Sequence, residues 1–321
     1  MAKLIITPPI PRCRGLVLAP EGAHVEASRL QSSGQYETLK VGKTDGNGEF
    51  YFTANKTDWH QVIVTGDGWR QTLGGSAPAV RTLFSDFRQG VLPWQWQTRV
   101  ADYIPGKSDY SKAADRAFDL LDGRLNLRVL QGDSGIEFDT ANLGTQDRFQ
   151  MTNGGWASAR MRMQPYTGAH TGFWLQTAED YIVGQSEVDV VEYFGADNPA
   201  RKSGINVHHT IWWNDPLPDG RQNLVSSEPD LYANSVSWGK RWDTEYHVYT
   251  VHWTPGFYDF WIDGRRVGRI VQGLSTGPKF PVLSILVRNW EHDALLANLK
   301  ADGTRLATYN AGVEWVAAWQ L

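Results

Sequence analysis

The chain has 321 residues, 41% of them apolar and 21% charged, with a formal charge of −4. That apolar content supports a buried core, and no run approaches the ~18 apolar residues of a membrane span. The absence of any Lys/Arg block argues against nucleic acid as a partner, and a single cysteine, Cys13, excludes an internal disulfide framework.

Met1 to Pro11 carries one charge, Lys3, then a short apolar run and prolines. It lacks the longer apolar core and small-residue cleavage site of a secretory leader. Short strands follow at regular spacing: Leu16–Leu18, Ala23–Ala27, Tyr36–Val41, Glu49–Phe52 and Gln61–Val64. Asp45-Gly-Asn-Gly marks a tight turn between two of them, because Gly and Asn tolerate positive φ. Thr44-Asp-Gly-Asn-Gly-Glu-Phe with Val62-Ile-Val-Thr-Gly resembles carboxypeptidase-regulatory-like and transthyretin-like modules. Gly74-Gly-Ser-Ala-Pro-Ala reads as a linker. Residues 1–79 are therefore expected to form a small β-sandwich that serves as a spacer or docking module, and residues 80–321 a larger second domain.

In that second domain, Ser111 to Leu121 is expected as a short helix ended by Asp122-Gly123. Arg124–Leu130 and Trp156–Met163 alternate cleanly and predict strands, with a loop after Pro165. Strand follows strand to the C-terminus without a long helical period, so the fold class is all-β: a two-sheet jelly-roll sandwich with a smaller N-terminal β-sandwich module. The Asp-Gly pairs starting at 45, 67, 122, 219, 263 and 302 are turns, since none has the acidic spacing of a calcium loop.

The densest chemistry lies in Ser186 to Gly195, Ser-Glu-Val-Asp-Val-Val-Glu-Tyr-Phe-Gly. The valines, Tyr193 and Phe194 predict a strand. Side chains alternate, so Glu187 and Asp189 share one face and Val188 and Val190 the other. Glu192 falls on the valine face unless one β-bulge at Val190-Val191 restores the parity. Three like charges on one face are a poor way to stabilise a fold. They suit a pair of carboxyls of which one keeps its proton near neutral pH while the other stays ionised. Retaining glycoside hydrolysis uses such a pair, roughly 5–5.5 Å apart. The Cα atoms of Glu187 and Glu192 should be about 13 Å apart, at ~3.3 Å per residue with one residue absorbed by the bulge. Converging Glu side chains close most of that gap. The competing reading is an edge strand whose charges are simply solvated.

Glu187-Val-Asp-Val-Val-Glu192 resembles the bulged Glu-x-Asp-x-x-Glu signature of glycoside hydrolase family 16. Gly172-Phe-Trp-Leu-Gln is similar to that family's preceding strand. His247-Val-Tyr-Thr-Val-His-Trp-Thr-Pro and Phe260-Trp-Ile-Asp-Gly-Arg are similar to its hairpin, and Phe84-Ser-Asp-Phe to its opening strand. The resemblance runs on to Glu314-Trp-Val. It implies a concanavalin A-like jelly roll and an endo-acting retaining β-glycosidase without a cofactor. Glu187 would be the nucleophile, Glu192 the general acid and then base, and Asp189 the residue that holds Glu187. The bulged form is closer to laminarinases, agarases and galactanases than to the unbulged lichenases, which implies a β-1,3-glucan or β-galactan substrate.

Around the acids, Trp174 is expected to stack under a sugar ring. Trp212, Trp213 and Trp290, read as lying near strand ends or loops, are candidate subsite walls. Arg288, with Asn289, is a candidate for sugar hydroxyls. Core packing is the competing role for each tryptophan. Of His208 and His209 only one can face the groove, and His208 is expected beside Glu192. No metal site is expected from them, since adjacent strand histidines point to opposite faces. A structural calcium of the kind some relatives carry has no identifiable position. Leu283-Ser-Ile-Leu-Val-Arg-Asn-Trp only loosely resembles the family's groove strand, which leaves the sugar open. The partner expected is a polysaccharide, with no nucleic acid and no membrane insertion. Extracellular action without a leader, together with a small β module, also fits a virion tail component that meets other tail proteins or further copies of the chain. In that setting the alternative to an enzyme is a carbohydrate-binding structural protein.

Overall fold

The structure is a computed structural model. It describes residues 1–6, 14–31, 33–54, 60–75, 81–99, 110–132, 137–152, 154–165, 167–177, 186–195, 207–216, 222–227, 242–271, 273–275, 277–302 and 310–320. The linker residues 76–80 and Cys13 lie outside them. Two compact units are present, Met1–Arg81 and Thr82–Gln320.

The first unit contains β1 (Lys3–Ile6), β2 (Arg14–Leu18), β3 (His24–Leu30), β4 (Tyr36–Lys43), β5 (Glu49–Thr53), β6 (His60–Gly66) and β7 (Trp69–Gly75). They form a three-stranded sheet, β1-β2-β5, and a four-stranded sheet, β4-β3-β6-β7. Val17, Val25, Phe50, Phe52, Val62 and Val64 from the two sheets bury one another in a shared core. At the predicted Asp45-Gly-Asn-Gly turn, the Asp45 carboxylate accepts from the N–H groups of Asn47 and Glu49 at 2.9 and 3.0 Å, and Gly48 takes φ 71°.

The second unit runs through β8 (Arg81–Asp86), β9 (Gln97–Thr98), β10 (Ser111–Ala113), β11 (Phe118–Leu121), β12 (Arg124–Gln131), β13 (Phe138–Thr140), β14 (Asn142–Gly144), β15 (Gly155–Arg162) and β16 (His170–Thr177). It continues with β17 (Ser186–Tyr193), β18 (Val207–Pro216), β19 (Gln222–Ser227), β20 (His247–Thr254), β21 (Phe257–Ile262), β22 (Arg265–Ile270), β23 (Lys279–Leu286), helix α1 (Asn289–Asp302) and β24 (Asn310–Gln320). One sheet has the order β19-β18-β17-β16-β23-β14-β9. The other follows β10-β13-β12-β24-β15-β20-β21-β22, with β11 on β12 and β8 on β24. Inward residues of both sheets, among them Phe173, Leu175, Leu283 and Ile285 from one and Leu127, Ala159, Tyr249, Val251 and Val316 from the other, form a single core. This is the all-β two-sheet sandwich that the strand pattern predicts.

The expected helix over 111–121 does not form. Ser111–Ala113 is a strand, residues 115–117 make one 3-10 turn, and Phe118–Leu121 pairs antiparallel with β12, Phe118 opposite Leu127 and Leu121 opposite Arg124. Asp122-Gly123 is therefore a hairpin turn and not a helix stop. Both residues take positive φ, 54° and 71°, as a two-residue primed turn requires. Helix propensity loses because Phe118 and Leu120 reach the sandwich core from this strand. Conversely, α1 is not predicted by the strand pattern. It starts directly after β23, where Glu291 reaches back to accept from the Arg288 N–H at 3.0 Å, as in a capping box.

Candidate active site

On strand β17 the register slips once. Asp189 pairs with Trp174 of β16, but the next pair is Val191 with Phe173, and on the other side Asp189 opposite Thr210 is followed by Glu192 opposite His208. Val190 and Val191 thus form the bulge that the spacing demands. Val188, Val190, Val191 and Tyr193 all lie in the core. Glu187, Asp189 and Glu192 consequently share the opposite, outer face. Asp189 is 3% exposed and the two glutamates are half-buried. The cause is in the sequence. A regular strand would turn Glu192 into the core, at an effective cost of several kcal/mol for a buried ion, and would expose Val191, forfeiting ~1.5–3 kcal/mol of burial.

Each end of β17 is held through a main-chain carbonyl. At its start the Lys279 ammonium donates to the Ser186 carbonyl at 2.9 Å, to Ser186 Oγ at 3.1 Å and to Ser275 Oγ at 2.7 Å. Ser186 Oγ also meets the Tyr258 hydroxyl at 3.1 Å. Lys279 begins β23, two strands from β17, and its ammonium lies 5.2 Å from the ring centre of Trp253 in the core. It is fully buried, and burial pushes its amine down from the usual lysine value to about 7. At the other end, buried Gln164 donates to the carbonyls of Tyr193 at 3.0 Å and Ala169 at 2.6 Å, and accepts from Thr171 Oγ1 at 2.5 Å. The segment carrying the three acids is pinned just outside its first and last acid.

Pairing brings several expected residues onto one row or the next. His208 is the register partner of Glu192, and Trp212 that of Glu187. Trp212 and Trp213 lie within β18, not at a strand end as expected, because a ten-residue strand continues through them. Across β16, Gly172 sits opposite Glu192, with Ser284 and then Asn142 beyond it in the same row. A Cβ on Gly172 would crowd Ser284 Oγ and Trp174 Cδ1, both at 3.2 Å; hydrogen there keeps the space beside Glu192 open. Trp174 is buried with Phe280 and Val282 and donates to Ser284 Oγ at 3.1 Å. The Arg99 guanidinium lies over it, 5.2 Å from its ring centre. Arg99, Gln164 and Lys279 carried no motif, so sequence reasoning missed them.

Trp290 is placed in the first turn of α1 rather than in a loop. Beside it, Glu291 is buried and bonds His170 at 2.8 Å. That pair ties the helix to the end of β16. Arg288 is half-buried at the same junction. The hairpin residues His247 and Asp263 lie on the other sheet, where Asp263 bonds the His247 ring and the Val248 N–H at 2.8 and 2.9 Å. Asp263 takes φ 50°, so that motif locks a turn.

Residues 107–305 match the profile of glycosyl hydrolases family 16. No curated protein sequence matches the chain. Solved structures similar to it include an endo-β-1,3-glucanase from Pyrococcus furiosus, at 14% identity and TM-score 0.55 over 80% of this chain and 97% of that one. The laminarinase from Rhodothermus marinus gives 17% identity and TM-score 0.54 over 75% and 96%. A prokaryotic β-1,3-1,4-glucanase (lichenase) from a mouse hindgut metagenome gives 18% identity and TM-score 0.52 over 74% and 99%.

Proposed function

The chain belongs to glycosyl hydrolases family 16, and we propose that it is an endo-acting, retaining β-glycosidase that cuts an extracellular β-1,3-linked glucan or a related β-galactan. The observation that carries this reading is the bulge at Val190-Val191, which gathers Glu187, Asp189 and Glu192 on one face while every intervening apolar residue faces the core. In the first step a Glu187 oxygen forms a bond to the anomeric carbon as the glycosidic C–O bond breaks, and Glu192 gives its proton to the leaving oxygen. In the second, Glu192 takes a proton from water, whose oxygen displaces Glu187 from the same carbon. Two inversions retain the β configuration. Asp189, buried between the two on the same face, holds Glu187. The strand register, which pairs His208 with Glu192 and Trp212 with Glu187, supports a role for both beside the reacting bond. The linkage is supported by the similar structures, an endo-β-1,3-glucanase, a laminarinase and a β-1,3-1,4-glucanase.

The test is product release from β-1,3-glucan, mixed-linkage glucan, agar, galactan and bacterial surface polysaccharide, with the anomer first formed read by proton NMR. Wild type should release β-anomeric oligosaccharides from one of them. Glu192→Gln should lose about 10²–10⁴-fold in kcat, the usual worth of general acid/base catalysis, and Glu187→Gln at least as much. Initial release of the α-anomer, or full activity in Glu187→Gln, would refute the assignment.

A further inference from the structure

On the sheet that does not carry the acids, three arginines converge on one tyrosine. Arg124 extends from β12 and Arg160 and Arg162 from β15, and these strands flank β24. Their neighbours Leu125, Leu127, Ala159 and Met161 face the core, so alternation places the arginines on the outer face. The guanidinium carbons lie 5.3, 5.2 and 5.7 Å from the centre of the Tyr246 ring. Tyr246 rests over Gly312 of β24, where any Cβ would strike its hydroxyl.

The charge there is not balanced. Glu314 pairs with Arg160. Arg162 donates to the neutral Asn310 side chain at 3.0 Å, and its buried Nε has no partner among the described residues. The buried Tyr246 hydroxyl has none either. Arg88, paired with Asp86, lies close enough to Glu314 to feel its charge. Among the described residues Arg88 and Arg160 have carboxylate partners and Arg124 and Arg162 have none, in a protein whose formal charge is −4. Like charges so close repel, and guanidinium forks match the oxygens of sulfate esters and carboxylates.

We propose that Arg124, Arg160 and Arg162, gathered around Tyr246, form a non-catalytic binding site for the sulfate or carboxylate groups of an acidic polysaccharide. Such a site would keep a hydrolase attached to an anionic matrix while its acids work on the opposite face. The site rests on family membership and this cluster, and is independent of the roles given to Glu187 and Glu192.

Affinity electrophoresis with dextran sulfate, polygalacturonate and neutral dextran tests it. Wild type and Glu187→Gln should be retarded equally by one or both acidic polymers and not by dextran. The Arg124→Gln/Arg162→Gln pair should bind about tenfold more weakly, roughly one charge-assisted hydrogen bond's worth. Its log-affinity against log-salt slope should fall by one to two, since fewer counterions are released. Arg124→Lys/Arg162→Lys should recover part of the binding, with thermal melts confirming that all variants fold. Hydrolysis of a neutral soluble glucan should not change in either pair. Equal retardation of wild type and the Gln pair, or no retardation at all, overturns the proposal. So does arginine-dependent binding of an oligonucleotide without binding of either acidic polysaccharide.

Discussion

Replacing Lys279 with Met removes an amine but keeps an apolar stem of similar length. The structure sets the sign of the effect. Burial holds this amine near 7 in the folded protein against about 10.4 in an unfolded chain. Between those values the unfolded state binds the extra proton, so stability rises with pH. For one group with these two values the gain from pH 7 to pH 9 is about 2 kcal/mol. The three hydrogen bonds of the ammonium favour its charged form, so this is an upper figure. Two buried tyrosines, Tyr249 and Tyr258, have hydroxyls raised above 10 by burial. Their effect has the opposite sign but begins only near pH 10, outside the window. The Met variant should lose the slope. At pH 7 relief of a buried charge offsets the bare Ser186 carbonyl, an unmet acceptor costing ~1–3 kcal/mol. At pH 9 that relief is gone and the variant should be clearly the less stable protein. Urea-unfolding curves at pH 7, 8 and 9, followed by tryptophan fluorescence, read this in the second unit, which holds every tryptophan except Trp59 and Trp69. Parallel pH slopes for the two proteins, or a wild type that weakens from pH 7 to 9, would refute the reasoning.

Other expectations follow from single contacts. His252 stacks on Trp156 at 4.0 Å and 3°, and burial lowers it to about 3; it stays neutral when folded and takes a proton only when unfolded. Stability from this group should therefore fall by about 2 kcal/mol between pH 6.5 and 4.5, and His252→Phe should flatten that limb in denaturant titrations. Gly172→Ala should fill the space beside Glu192 and cut kcat/KM at least tenfold, with some loss of melting temperature because the Cβ crowds Ser284 and Trp174; unchanged kinetics would mean that substrate does not pass there. Gln164→Leu, which removes one buried hydrogen bond each from the Tyr193 and Ala169 carbonyls, should cost ~0.5–1.5 kcal/mol per bond, measurable as a drop in urea midpoint.

The readable part of this chain is whatever alternation controls. Val188, Val190 and Val191 announce the bulge, because only a bulge lets both adjacent valines be buried while Glu187 and Glu192 stay out. The same logic placed β12 and β15. It failed at 111–121, where Ala, Lys, Arg and Leu score as helix formers but Phe118 and Leu120 are claimed by a hairpin. It failed again at Asn289–Asp302, where only Val287 and Arg288 separate the helix from β23. What it could not reach are groups whose value lies in tertiary distance: Lys279 has no local signature, yet from two strands away it reaches the Ser186 carbonyl, and Gln164, which follows β15 of the other sheet, reaches the Tyr193 carbonyl. These two contacts suggest how the carboxylate face is stabilised. Three acids on one strand repel one another, and a bulge loosens the ladder between them, so the strand needs restraint that does not touch the acids. Binding its carbonyls from the core side supplies that restraint and leaves the acid face free. Lys279→Met and Gln164→Leu should therefore lower kcat more than they raise KM. A rise in KM alone would place the damage in the groove walls instead.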